Sequence, residues 1–200
     1  MNTPLFNAEE YDRQEYSQFG EDGLTLELVR RLDPPKWFVE VGCGNGEENN
    51  TRCLIERGWR GVWFDRDNEN AAMARRYNKM TLEVAVNQET YVPLVPNTIG
   101  VLSIDVDGND YWIWRGLNPQ LNPSIVIIEC QTQRPLNEPY VMPYDPEYVW
   151  DHASRDCGAS LFSMQELGRE LGYTFVGMPA NPHSPNAFFV RNDLLPRLQV

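Results

Sequence analysis

Positive charge, paired cysteines, long apolar runs and histidine are all scarce in this chain, and each shortage removes a class of function. The sequence carries 17 Lys and Arg against 29 Asp and Glu, a formal net charge of −12. A nucleic-acid binder needs a basic face to release counterions from phosphates, and an anionic membrane asks for the same. The basic pairs Arg30-Arg31 and Arg75-Arg76 fall in helix-like segments and read as solvated faces, so neither nucleic acid nor membrane is expected as a partner. Cys43, Cys53, Cys130 and Cys157 form no C-x-x-C pair. A structural zinc site is therefore not expected, and buried, reduced thiols are. No apolar run approaches the roughly 20 residues that span a bilayer. The opening stretch, MNTPLFNAEEYDRQEYSQFGEDG, is polar and acidic, unlike a secretory signal or an Arg-rich transit peptide. A soluble, cytoplasmic protein is the expectation. Histidine is limited to His152 and His183, and no Ser-His-Asp arrangement stands out.

What is present suits one domain over 1–200: 42% hydrophobic and 12% aromatic residues in a chain long enough to bury a full core. An N-terminal segment, about 9–31, reads as helical, with apolar residues at 24, 26, 28, 29 and 32 before Asp33-Pro34-Pro35 stops it. Short apolar strands are expected at 37–41, 61–65, 80–86, 99–105 and 124–130. Helices are expected at 49–57, 68–77 and 160–171, with a short one ending at Arg115 and capped by Asp107 or Asn109. Two last strands, 173–178 and 186–191, flank a Pro- and Asn-rich loop, which predicts a hairpin at one sheet edge. Strands alternating with helices imply a parallel sheet covered on both faces. The expected fold class is α/β: a Rossmann-like doubly wound sheet of seven strands, mostly parallel, the last antiparallel. The sequence does not set the oligomeric state, and a homo-oligomer is compatible with it.

FVEVGCGNGEENN, residues 38–50, carries the strongest chemical signal. Ligands of doubly wound sheets bind beyond the carboxyl ends of the strands, where glycine lets the backbone approach closely. A dinucleotide turn wants G-x-G-x-x-G with a pyrophosphate on the helix N-terminus. Counting from Gly42 reaches Gly44 and then Glu47, whose carboxylate would repel a pyrophosphate. The spacing is instead acid-x-G-x-G-x-G through Glu40, Gly42, Gly44 and Gly46, which suits a phosphate-free cationic ligand such as S-adenosylmethionine (SAM). Asp65 ends the second strand, where an acid takes the ribose hydroxyls of an adenosine cofactor; that does not separate NAD from SAM. Ala85 and Val86, at the end of the third strand, are expected to flank the adenine.

Six stretches together resemble the FkbM-like group of class I SAM-dependent methyltransferases: SQFGEDG (17–23), 38–67, LSIDVDGNDYWIW (102–114), VIIEC (126–130), GASL (158–161) and NAFFV (186–190). The resemblance runs in order from about Ser17 to Val190. It implies the class I methyltransferase fold, SAM as cofactor, Glu40, Gly42, Gly44 and Asp65 as cofactor residues, and Gln18 closing over the methionine end. It does not name a substrate, and Cys130 after the strand-five acid departs from the aromatic or Asn common in that group.

SIDVDGNDYWIW places Asp105, Asp107, Asn109 and Asp110 within six residues. An EF-hand would need Gly and Glu where Asp110 and Gly116 stand, so that loop is excluded. Three readings stay open. Asp105 and Glu129, ending neighbouring strands, could share a Mg²⁺ that activates an acceptor hydroxyl. Asp105 or Asp107 could position the acceptor or take its proton without metal, with Asp105 also near the cofactor. Or the acids could simply cap a turn. The stretch 131–157, rich in Tyr and Trp, reads as a substrate lid, and His152 within it and His183 between the last strands are candidate bases. The expected function is SAM-dependent methyl transfer to a hydroxyl of a sugar or small metabolite. The alternatives are an NAD-linked oxidoreductase and a non-catalytic SAM-binding protein of the same fold.

Overall fold

Short strands of three to six residues build the sheet. In chain order the strands are β1 (Trp37–Val41), β2 (Arg60–Asp65), β3 (Thr81–Glu83), β4 (Val101–Ile104), β5 (Ile125–Glu129), β6 (Tyr173–Gly177) and β7 (Asn186–Arg191). The computed structural model describes residues 6–87, 96, 98–135, 137–151, 153–154 and 156–199. The spatial order is β3-β2-β1-β4-β5-β7-β6, and β7 alone runs antiparallel to its neighbours. The last strand thus lies between β5 and β6, closing the expected hairpin and leaving β6 at the edge.

The helices are α1 (Glu21–Leu32), α2 (Arg52–Ile55), α3 (Asn68–Ala74), α4 (Asp110–Arg115) and α5 (Leu161–Leu171). Side chains alternate across a strand, and each face has its own core. Phe38, Val101, Ile125, Ile127 and Phe188 pack with Leu24, Leu28 and Leu32 of α1. Val39, Val41, Leu102, Ile104, Val126, Ile128 and Phe189 pack with Ile113 and Trp114 of α4 and Met164 and Leu167 of α5. Leu24, Leu28 and Leu32 stand four apart on one stripe and are fully buried, each contributing about 2 kcal/mol of apolar burial. α5 starts where the Ser160 hydroxyl accepts the Ser163 N–H and stops at Gly172 in the left-handed region.

Several boundaries differ from the sequence reading. The segment 9–31 is not one helix: a 3-10 turn at Ala8–Tyr11 is followed by irregular backbone, and α1 begins only at Glu21. The cause is Asp22. One of its carboxylate oxygens accepts the N–H groups of Glu15 (2.7 Å), Tyr16 (2.8 Å) and Ser17 (2.7 Å) and the Ser17 hydroxyl (2.7 Å), an inward-turned arrangement that a helix cannot present. β3 ends at Glu83, so Ala85 and Val86 lie beyond it, Ala85 exposed and Val86 against the second core. α2 and α3 are shorter than expected, and a second 3-10 segment follows β7 at Asn192–Gln199. All four cysteines are free; Cys43, Cys53 and Cys130 are buried and Cys157 half-buried. No helix among the described residues is long and apolar enough to cross a membrane.

Candidate functional site

Register brings the acids together. Glu40 pairs with Ser103 and Ile104 with Ile128, so Asp105, the residue after β4, lies level with Glu129, which pairs with Asn186. With period-two alternation, Glu40, Asp105 and Glu129 share the α1 face at the carboxyl edge. Asp107, on the turn beyond, completes a trio: Asp105, Asp107 and Glu129 each offer an oxygen within 4.8 Å of the others. Asp107 holds φ +58, a left-handed backbone that costs a non-glycine residue about 1 kcal/mol. Burial, first of all, and then the neighbouring carboxylates push both Asp105 and Glu129 well above the usual carboxylate range.

The rest of the acidic turn does other work. Asp110 is buried and accepts the N–H groups of Val106 (2.9 Å) and Gly108 (2.9 Å), shaping the turn that presents Asp107. Burial raises Asp110 to about 6. Asn109 reaches the segment after β5, its Nδ2 donating to the carbonyl of Asp145 (2.7 Å). That segment is also tied down by Trp112 Nε1 to the Met142 carbonyl (2.8 Å) and by Arg66 to the Tyr148 carbonyl (2.8 Å).

The three glycines have three different jobs. Gly42, at φ +84, lies so close to the end of β4 that an added Cβ would stand 1.6 Å from the carbonyl oxygen of Asp105. Gly46 makes room for Ala74 and Tyr77 at the end of α3, with a Cβ there 2.9 Å from each. Gly44 alone faces open space, with nothing within 4 Å of an added Cβ. Its N–H donates to Asp65 Oδ2 (2.7 Å), while Asp65 Oδ1 accepts the Asp67 N–H (2.8 Å). Burial raises the Asp65 carboxyl, and those two N–H groups pull it back.

Glu40 lies beneath this loop. It is 2% exposed, and its carboxylate accepts the N–H groups of Asn50 (3.0 Å) and Thr51 (3.3 Å) and the Thr51 hydroxyl, which in turn accepts Trp63 Nε1 (2.8 Å). Burial raises it to about 7 against those hydrogen bonds. Glu40 therefore frames the turn into α2.

A cleft of about 220 Å³ opens beside the trio, lined by Asp107, Glu129, Gln131, Gln133, Trp150, Cys157 and His183 among others. His183 is exposed in the β6–β7 loop, its ring 6.4 Å from that of Phe19. Gln18 is exposed, with its carbonyl accepting Gln14 Nε2 (3.2 Å). His152 lies outside the described residues. One organising residue was not visible in the sequence. Glu21, fully buried, accepts Ser184 Oγ (2.7 Å), Asn186 Nδ2 (3.1 Å) and the Phe19 N–H (2.9 Å), joining SQFGEDG to the loop that carries His183. In the sequence it passes for an ordinary first-turn acid.

The site's fit to its expected ligands can be tested. Opposite oxygens on Mg²⁺ at about 2.1 Å stand about 4.2 Å apart, and on Ca²⁺ at about 2.4 Å they stand about 4.8 Å apart. A 4.8 Å spread of three carboxylates thus fits a hard divalent cation, Mg²⁺ after a small inward shift. The open space at Gly44 beside a carboxylate fits an adenosine ligand without phosphate.

A scan of known protein families and a search of curated proteins match nothing to the chain. Solved structures do match. The strand order with a reversed β7 is that of the class I SAM-dependent methyltransferases, and the chain has their fold. A candidate caffeoyl-CoA O-methyltransferase from Staphylococcus aureus is 14% identical at a TM-score of 0.55, covering 84% of this chain and 81% of that one. The magnesium protoporphyrin IX methyltransferase of Synechocystis, with S-adenosylhomocysteine bound, is 12% identical at 0.53, covering 86% and 81%. A SAM-dependent methyltransferase from Clostridium acetobutylicum is 9% identical at 0.52, covering 84% and 89%.

Proposed function

We propose that the chain is a SAM-dependent methyltransferase of the FkbM-like kind, methylating a hydroxyl of a sugar or other small metabolite. The carrying observation is the Asp105–Asp107–Glu129 trio beside a cleft, at the edge where the glycine loop and Asp65 also stand. The fold shared with methyltransferases of small molecules and the resemblance around SQFGEDG support the same reading. Bound SAM supplies an electrophilic methyl on a sulfonium that leaves readily.

The protein's part is placement and proton management. Gly44 leaves room for the ligand backbone, Asp65 receives its hydroxyls, and Gln18 and Phe19 stand at the methionine end. Ala85 and Val86, just past β3, flank the adenine. The trio orients the acceptor hydroxyl. Asp105, Asp107 and Glu129 would hold a hard cation such as Mg²⁺, which lowers the pKa of a hydroxyl bound to it. Methylation would release the acceptor's hydroxyl proton, and His183 in the cleft wall would take it, or Asp107 where it holds no cation. Residues 131–157 act as the lid that excludes water, and His152 belongs to that lid.

Transfer of radiolabelled methyl from SAM to a panel of hydroxylated metabolites tests the reading. Turnover lost in chelator and restored by Mg²⁺ is expected; full turnover in chelator would remove the cation from the scheme, and no labelled product from any acceptor would leave a SAM-binding protein without turnover.

A further inference from the structure

We propose that Asn186 supplies a fourth, neutral ligand to the cation of the acidic trio, its side-chain carbonyl oxygen joining Asp105, Asp107 and Glu129. This rests on the cation reading above and completes the ligand set of that same site.

The observation is an unsatisfied oxygen. Asn186, at the start of β7, is 4% exposed, and its Oδ1 meets no hydrogen-bond donor among the described residues. A buried acceptor left without a partner costs about 1–3 kcal/mol, which a group bound to it restores. Register shows what lies beside that oxygen. Asn186 stands directly opposite Glu129 across the antiparallel β5–β7 pair. Opposite residues project on one face with their Cβ atoms about 4.5–5.5 Å apart. That face is the one that carries Glu129 and Asp105 at the carboxyl edge. The other arm of the amide is fixed. Nδ2 donates to Glu21 Oε1 (3.1 Å), which also accepts Ser184 Oγ (2.7 Å). An ionised carboxylate only accepts, so Glu21 settles which arm is nitrogen and leaves the oxygen arm for the row of Glu129 and Asp105. Hard cations take amide carbonyls alongside carboxylates. A neutral oxygen raises the ligand number without adding to the repulsion among three acids. The set then spans three neighbouring strands, β4, β5 and β7. Glu21 is its positioning residue, tying SQFGEDG to the cation through the Asn186 amide.

The test uses the full chain with Mn²⁺ as the probe. Free Mn²⁺ is followed by electron paramagnetic resonance during titration, and crystals soaked in Mn²⁺ are read from the anomalous signal. Asn186→Leu keeps the side-chain size and removes the amide, and it should weaken Mn²⁺ binding at least about tenfold. Ser184→Ala takes a donor from Glu21 but leaves the amide oxygen in place, and its affinity should stay within about threefold of the unaltered chain. In the soaked crystal Mn²⁺ should lie about 2.0–2.6 Å from Asn186 Oδ1. Unchanged affinity in Asn186→Leu, or equal losses in the two variants, would overturn the proposal. So would Mn²⁺ held by the carboxylates with Oδ1 beyond about 3.5 Å or bonded to a water, with the cation reading left standing. Should Asn186→Leu not fold, the soaked crystal decides. No Mn²⁺ bound by the unaltered chain would defeat the cation reading and this inference together, while leaving the methyl-donor reading in place.

Discussion

Replacing Glu40 with Gln separates the frame of the loop from its ligand chemistry. The carboxyl of Glu40 receives three donors, two N–H groups and the Thr51 hydroxyl. An amide turns one accepting oxygen into a donor, so at least one buried N–H loses its partner, at a cost of about 1–3 kcal/mol. A second effect depends on pH. Glu40 rises from an ordinary 4.5 to about 7 in the folded chain, with burial as the main cause. The folded state then binds its proton more tightly than the unfolded state. Stability from this group is present below the unfolded value of 4.5 and is lost as pH rises towards 7. A rise from 4.5 to about 7 corresponds to about 3 kcal/mol in all. Gln cannot ionise, so the variant lacks this slope. Urea denaturation of both proteins between about pH 5 and about pH 8 should show the largest deficit for Glu40→Gln at the acid end, shrinking by about 2 kcal/mol or a little more at the alkaline end. Parallel stability curves would refute the assignment of a buried, high-pKa carboxyl at this position.

Other substitutions distinguish neighbouring roles. Gly42→Ala should fail to fold or lose several kcal/mol, because its Cβ meets the Asp105 carbonyl; Gly44→Ala, at φ +52 in open space, should cost only about 1 kcal/mol of stability while weakening S-adenosylhomocysteine binding more than tenfold. Circular dichroism melts and calorimetry of the two variants check this. Asp105→Asn relieves repulsion in the trio, so in chelator it should raise Tm by about 2–4 °C, and with Mg²⁺ present it should abolish methyl transfer; an unchanged or lower Tm in thermal melts would argue against a strained acidic cluster. Glu21→Ala strands the partners Ser184 and Asn186 and should speed hydrogen exchange of the β6–β7 loop more than that of β1 or β4.

Most of the sheet was readable because each strand is an apolar run and strands alternate with helices. The antiparallel pairing at the end followed from two strands joined without a helix. Asp105 and Glu129 were paired from their places at the ends of adjacent strands, and the register agrees. Asp107 was visible as an acid but not as the third member of the cluster, because that depends on a left-handed turn shaped by Asp110. Glu40 illustrates the opposite difficulty. A carboxylate before a glycine loop reads as a ligand-facing group, but its partners, Asn50 and Thr51, lie a loop away in sequence. Glu21 and Asp22 hide for a similar reason: a first-turn acid looks like a dipole partner until the folded loop supplies its donors. His152, proposed as a base, lies outside the described residues.

The most direct measurement is calorimetric titration of the full chain with S-adenosylhomocysteine and, separately, with NAD. One site with a Kd of roughly micromolar or tighter for S-adenosylhomocysteine, about 8 kcal/mol of binding, and no heat from NAD is the predicted result. Saturation by NAD with no response to either SAM or S-adenosylhomocysteine would contradict the account.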